Sequence, residues 1–229
     1  KPRQNKYSNI KTEVDIASEF RYRNSVLPDG GAALFISQSG ESLDTLMALR
    51  HAREKRQHII SLINVGESTI ARESDVVLKT LAGPEISVAS TKAYTTQLAV
   101  LLCLSVDWAQ KRNFLDRTKA FEIMDELSRL PTALAEVLAD KERWNACAHE
   151  LAGARDVIYL GRGLNFPTAL EGALKLKELS YIHAEGYAAG EMKHGPIALL
   201  DEGMPVVMVA PYDEWFDKTA SNLKEALAR

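Results

Sequence analysis

Apolar residues in this chain gather into short runs separated by longer stretches of helical period. Residues 32–36 are continuously apolar, and largely apolar runs recur at 59–63, 76–78, 157–160 and 205–210. Runs of that length suit strands buried on both faces, as in a parallel sheet. Between them lie helical patterns at 43–55, around 70–73, and in a long apolar stretch from Ser90, Thr91 and Lys92 to about Trp108. Strand and helix in alternation predict a parallel α/β sheet. Ahead of this, the polar, basic residues 1–12 read as a loose tail, 14–17 as a short strand-like piece, 19–23 as a brief helix and 28–31 (Pro-Asp-Gly-Gly) as a turn.

From about 113 to 151 the pattern is helix upon helix, broken at Pro131, with Leu115, Phe121, Met124, Leu127, Leu134, Val137 and Leu138 supplying apolar faces. This predicts a helical connector, and three segments: a first α/β unit over 1–112, the connector over 113–150 and a second unit over 151–229. The second unit shows two clear strands, too few for a sheet of ordinary size, and closes with an amphipathic helix over 214–228. Trp144 and His149 read as packing and surface residues.

Composition narrows the possibilities. With 229 residues, 46% hydrophobic and 26% charged, the chain can bury a substantial core. A formal net charge of -3 gives no footprint for nucleic acid or anionic membrane. No apolar run approaches a membrane span and the N-terminus carries no signal-peptide core, so a cytoplasmic setting is expected. Cys103 and Cys147 have neither disulfide nor metal spacing, and no ligand cluster suggests a metal or organic cofactor.

The chemistry concentrates in residues 171–196, EGALKLKELSYIHAEGYAAGEMKHGP. Glu171, Lys175 and Glu178 fall within roughly 60° of one another on a helix advancing about 100° per residue, with Lys177 pointing well away. An ammonium between two carboxylates can separate their pKa values and leave one as a base near neutral pH. The bland alternative is a solvated Glu–Lys face worth a few tenths of a kcal/mol. Tyr181, His183, Glu185, Tyr187, Glu191, Lys193 and His194 then crowd a glycine-punctuated turn ending in Pro196, which looks like a site wall. Pro167 starts the helix that carries the three charged residues.

A second candidate follows the 32–36 strand. Ser37-Gln38-Ser39-Gly40-Glu41-Ser42 leads into a helix, and a hydroxyl-rich loop at a helix N-terminus makes a phosphate cradle. Ser39 or Ser42 serving only as a helix cap is the alternative, as it is for Ser90 or Thr91 ahead of the long apolar helix. The run Gly161-Arg162-Gly163-Leu164-Asn165 is a weak dinucleotide fingerprint without its third glycine or downstream acid.

The runs KLKELSYIHAE and KHGP, with SQSGES and EISVASTKAYTTQ upstream, resemble the isomerase domain of the glutamine–fructose-6-phosphate aminotransferase family. The resemblance implies two flavodoxin-like sugar-isomerase (SIS) units, each a parallel sheet between helices, both incomplete and joined by the connector, as an interior piece of a longer protein. It covers part of the family's isomerase region and none of its glutaminase domain. It implies conversion of fructose 6-phosphate to glucosamine 6-phosphate for hexosamine synthesis, with ammonia from glutamine hydrolysis elsewhere, in a homodimer and without a metal or cofactor.

Residue by residue, the resemblance implies that Ser37, Gln38, Ser39 and Ser42 hold the phosphate, with Ser42 in place of the family's usual Thr. The backbone of Val88 and the hydroxyl of Ser90 approach the sugar, and Lys92 ranks as structural. Glu178 shuttles the proton between C1 and C2, Lys175 and Glu171 steady charge around the intermediate, and His194 assists ring opening in the neighbouring subunit's site. The family's Schiff-base lysine is expected beyond Arg229, so the isolated chain is expected to be impaired. The alternatives are a non-catalytic phosphosugar-binding module, another phosphosugar isomerase or deglycase, and an inert fragment that only dimerises.

Overall fold

The structure is a computed structural model that describes residues 8–229, so residues 1–7 of the expected tail lie outside the described residues. The chain divides into two units, one ending at Ser128 and the other spanning Arg129–Arg229.

The first unit contains α1 (Ala17–Phe20), β1 (Ala32–Ser37), α2 (Leu43–Glu54), β2 (His58–Ile63), α3 (Thr69–Arg72), β3 (Val76–Lys79) and α4 (Lys92–Lys111). The strands are parallel in the order β1-β2-β3, with Ala32 opposite His58 and Ile60 opposite Val76. A parallel pair needs a crossover, and α2 and α3 provide the two used here. Leu46, Leu49 and Ile70 from these helices share one core with Phe35, Ile59 and Ile63 from the sheet. Burial of each such side chain contributes about 1.5–3 kcal/mol.

The strand expected at 14–17 does not form. Residues 9–16 have no regular structure and Val14 and Ile16 are exposed. The Asp15 carboxylate accepts instead from the Ile16 amide at 2.8 Å and from Arg23 at 2.9 Å, a local arrangement that competes with sheet pairing. The brief helix correspondingly lies at Ala17–Phe20 rather than 19–23.

The helix expected to break at Pro131 runs through it: α5 spans Arg117–Ala139 with Pro131 inside. Its apolar seam continues across the proline at Ala120, Ile123, Leu127, Leu130, Leu134 and Val137, a regular heptad pattern. The break comes at Asp140, whose carboxylate accepts from the Arg143 amide at 3.2 Å and caps α6 (Lys141–Ala152).

In the second unit β4 (Asp156–Gly161), α7 (Asn165–Ser180), β5 (His183–Ala188) and β6 (Val206–Val209) are followed by α8 (Phe216–Leu227). Two 3-10 turns, Ala189–His194 and Pro196–Leu199, link β5 to β6. Pro167 occupies the third residue of α7 rather than its start, still within the first turn, where a missing amide proton leaves no helix bond unmade. The three strands are parallel in the order β5-β4-β6. The expectation of two strands is therefore corrected to three among the described residues: part of the stretch read as a turn is strand β5. One sheet face packs Val157 and Ala184 against Ala173 and Leu176 of α7. The other packs Ile158 and Leu160 against Ala189 and Met192 of the turn and Ala226 of α8. Gly186 lets α7 lie directly on β5, since a Cβ there would sit 2.8 Å from the Leu170 Cα.

Candidate active site

The loop after β1 is held by its own hydroxyls. Ser37, buried at the strand end, accepts from the Gly40 amide at 3.0 Å and lies 3.5 Å from the Ser42 hydroxyl. Ser39 accepts from the Glu41 amide at 3.2 Å. Ser42 occupies the N-cap position of α2, yet its side chain makes no capping bond, so its hydroxyl and the first-turn amides of α2 are not spent on each other. Gly40 has φ +68°, and a Cβ there would lie 2.0 Å from the Ser68 hydroxyl. Only glycine fits both the left-handed backbone and the contact.

Two neighbours, neither expected from sequence, fix this loop. The Asn64 amide donates to the Gln38 carbonyl at 3.2 Å. The Asn64 side chain accepts from Thr80 at 3.0 Å and from the Ala82 amide at 2.9 Å, and donates to the Gly83 carbonyl at 2.6 Å. Asn64 thus ties the hydroxyl loop to the 80–83 segment. Glu41 accepts from the Thr69 amide at 2.7 Å, which, with a bond from the Thr69 hydroxyl and the charge of Arg72, holds its carboxyl below the usual range. The only sequence signal for Asn64 was a polar residue directly after a buried strand.

Beyond 83, Val88 is exposed and Ser90 is half-buried. Neither Ser90 nor Thr91 caps α4: Thr91 is at the N-cap without a side-chain bond, and Glu85 accepts from the Ala93 amide at 3.2 Å instead.

On α7, Lys175 lies between its two carboxylates, 2.5 Å from Glu178 Oε2 and 3.5 Å from Glu171 Oε1. All three side chains are between a fifth and a third exposed. Burial pulls the Lys175 pKa down, but the Glu178 hydrogen bond and the charges of Glu171 and Glu178 outweigh it and hold the ammonium above its ordinary value. Lys177, on another face, reaches Glu185 of β5 at 3.4 Å. Glu185 also lies 3.5 Å from His183 Nε2, and His183 Nδ1 lies 2.7 Å from Asp156. His183 and Glu185 therefore join the starts of β4 and β5 rather than the Lys175 cluster.

His194 ends the first 3-10 turn, exposed, and its side chain has no hydrogen bond or ion pair among the described residues. The structure thus gathers Glu171, Lys175 and Glu178 on one helical face and Ser37, Gln38, Ser39 and Ser42 in one loop. It sets Val88 and Ser90 on a separate segment joined to that loop through Asn64. No group of three or more potential metal ligands occurs among the described residues, and none of their helices is long and apolar enough to cross a membrane.

Residues 5–106 and 150–229 match the SIS domain family. The chain is 55% identical over 224 residues to a glutamine–fructose-6-phosphate aminotransferase (isomerizing) of Bradyrhizobium diazoefficiens, covering 98% of this chain and 37% of that protein. The aminotransferase of the same name from Mesorhizobium japonicum is 54% identical with the same coverage. The chain therefore spans 37% of the length of these curated relatives. Among solved structures, the C-terminal domain of glucosamine-fructose-6-phosphate aminotransferase from Francisella tularensis superposes with a TM-score of 0.97 at 44% identity, covering 99% of this chain and 64% of that one. Two parallel sheets between helices, a hydroxyl loop after the first strand and family matches in both units agree: the chain belongs to the SIS domain family.

Proposed function

We propose that this chain is the sugar-isomerase part of a glutamine–fructose-6-phosphate aminotransferase, binding fructose 6-phosphate and moving a proton between C1 and C2 on the way to glucosamine 6-phosphate. The observation that carries the reading is the Lys175 ammonium bonded to Glu178 and close to Glu171 on one face of α7, in a chain 55% identical to a relative of that name.

In this reading the phosphate sits on Ser37, Gln38, Ser39 and Ser42 at the N-terminus of α2, where first-turn amides and the helix dipole favour an anion. The Val88 backbone and the Ser90 hydroxyl face the sugar. His194, whose side chain has no hydrogen bond or ion pair among the described residues, assists ring opening, and it does so in the site of a second copy. Glu178 takes the proton from C1 of the open ketose and returns it at C2. Negative charge develops on the enediol oxygens as the proton leaves, and the fixed Lys175 ammonium stabilises it without reorganising. Glu171 keeps that ammonium in place. Ammonia comes from a glutaminase domain outside this chain, in the cytoplasm, within a homodimer.

Support for the homodimer comes from the α5 seam. Ala120 and Ile123 are buried against Val106 of α4, while Leu130, Leu134 and Val137 further along the same heptad are exposed, as are Leu138 and Trp144. An uncovered heptad seam is a surface for a second helix.

The test is deuterium wash-in at C1 of fructose 6-phosphate, followed by NMR in heavy water. The chain exchanges C1 and Glu178→Gln does not. Equal exchange by both proteins contradicts the assignment.

A further inference from the structure

Beyond the groups assigned above, the second unit contains a run of polar contacts around the turn that ends in His194. We propose that Arg162, Asn222, Glu225 and Lys193 form a staple that fixes both ends of that turn and so positions His194. The positioning role rests on the reading of His194 under Proposed function; the staple itself does not.

The turn Ala189–His194 is a 3-10 helix, a conformation with weak internal hydrogen bonding that seldom persists on its own beyond a few residues. Its apolar side is anchored, because Ala189 and Met192 are fully buried beside Ile158, Leu160 and Ala226. Two apolar anchors leave the polar side of the turn to be held by other groups.

Those groups come from β4's end and from α8. Arg162, the residue after β4, donates through Nη2 to Asn222 Oδ1 at 2.8 Å. Asn222 Nδ2 donates to Glu225 Oε2 at 3.2 Å. Glu225 Oε1 pairs with Lys193 Nζ at 2.9 Å. Arg162 also packs on Gly190, where a Cβ would lie 3.1 Å from Nη2. Arg162 therefore meets the second residue of the turn while Lys193 holds the fifth.

Asn222 is the centre of the device. It is buried on the inner face of α8, where an amide is costly unless bonded, and both its oxygen and its nitrogen are engaged. Lys193 is directed to α8 and adjoins His194, which remains exposed. With about three residues per 3-10 turn, neighbouring side chains diverge by about 120°. Tying down Lys193 thus sets the backbone from which the imidazole leaves in another direction. None of the four residues has a hydrogen bond or ion pair with Glu171, Lys175 or Glu178 among the described residues, so they act through His194 and are positioning residues.

The staple is tested by amide hydrogen exchange on the full chain with Asn222→Ala and, because a buried substitution can unfold the protein, with the more peripheral Glu225→Gln. The expected result is at least tenfold faster exchange at 190–195, with exchange at 157–160 unchanged. Unchanged exchange at 190–195 in folded variants overturns the proposal. The link to His194 is read from isomerisation kinetics: Glu225→Gln lowers kcat about tenfold while KM stays within twofold. A fall in KM and kcat alike, or in neither, overturns the positioning role. Wild-type chain without turnover contradicts the functional reading, and the exchange result then decides the staple alone.

Discussion

Lys175 Nζ lies 2.5 Å from Glu178 Oε2 and also within ion-pair distance of Glu171. A Glu–Lys pair on a wet helix face contributes little and is readily replaced. Here one ammonium is shared by two partly shielded carboxylates, which turns a common surface motif into a local arrangement of charge that can serve proton transfer.

Lys175→Met separates the catalytic from the structural contribution. Loss of an aligned cation at a developing oxyanion costs about 10²–10³-fold in rate, and we expect a fall of that size in C1 exchange with the fold intact. Thermal stability at pH 7 should drop by no more than about 1 kcal/mol, as for partly exposed pairs. The sign of the pH effect is fixed by the raised pKa of Lys175. Folding favours the protonated form, so its contribution is complete below the ordinary lysine value of 10.5 and disappears as pH rises through the higher folded value. Lys175→Met should flatten that alkaline decline, and an unchanged alkaline slope would contradict the pairing.

Gly40→Ala tests the hydroxyl loop. A side chain at φ +68° with the Ser68 hydroxyl 2.0 Å away forces the loop to shift, at a cost of about 1–3 kcal/mol. Urea unfolding should report a loss in that range together with weaker phosphosugar binding. Stability within about 0.5 kcal/mol of wild type, with binding intact, would show that the loop accommodates the methyl group.

Glu73→Gln tests acid stability in the first unit. Arg50 bonds both Glu73 oxygens, at 2.9 and 2.5 Å, and this hydrogen bonding holds the Glu73 carboxyl below its ordinary 4.5 despite burial. A depressed carboxyl stabilises the fold above the unfolded value and loses that contribution as pH falls through the folded one. The variant should lose up to about 1 kcal/mol at pH 7, and its stability should fall less steeply than wild type below pH 4.5. Parallel acid-unfolding profiles would refute the pairing.

Most of the sheet was legible because β1, β2, β3, β4 and β6 are apolar runs whose burial needs no partner chemistry to recognise. Strand β5 was not, for a physical reason. It reads HAEGYA and lies at one edge of the described β5-β4-β6 sheet, where an alternation of small and polar residues suffices. Only Ala184 is fully buried in it, and His183 and Glu185 are matched by Asp156 and Lys177. Pro131 misled in the opposite sense: removal of one helix bond is outweighed when the seam continues on both sides, and the true end is set by Asp140.

The α7 cluster was legible because local spacing determines it. The contacts that fix loops and turns were not, since they join distant positions: Asn64 to the Gln38 loop, and Arg162 to Asn222, which are 60 residues apart in sequence.

Calorimetric titration of fructose 6-phosphate into wild-type chain and into the Ser39→Ala, Ser42→Ala double variant comes first. Saturable binding in the micromolar-to-millimolar range that the double substitution abolishes is the predicted result. Folded wild-type chain that binds no fructose 6-phosphate, or a double variant that binds it equally well, would contradict the assignment of this loop as the phosphate site.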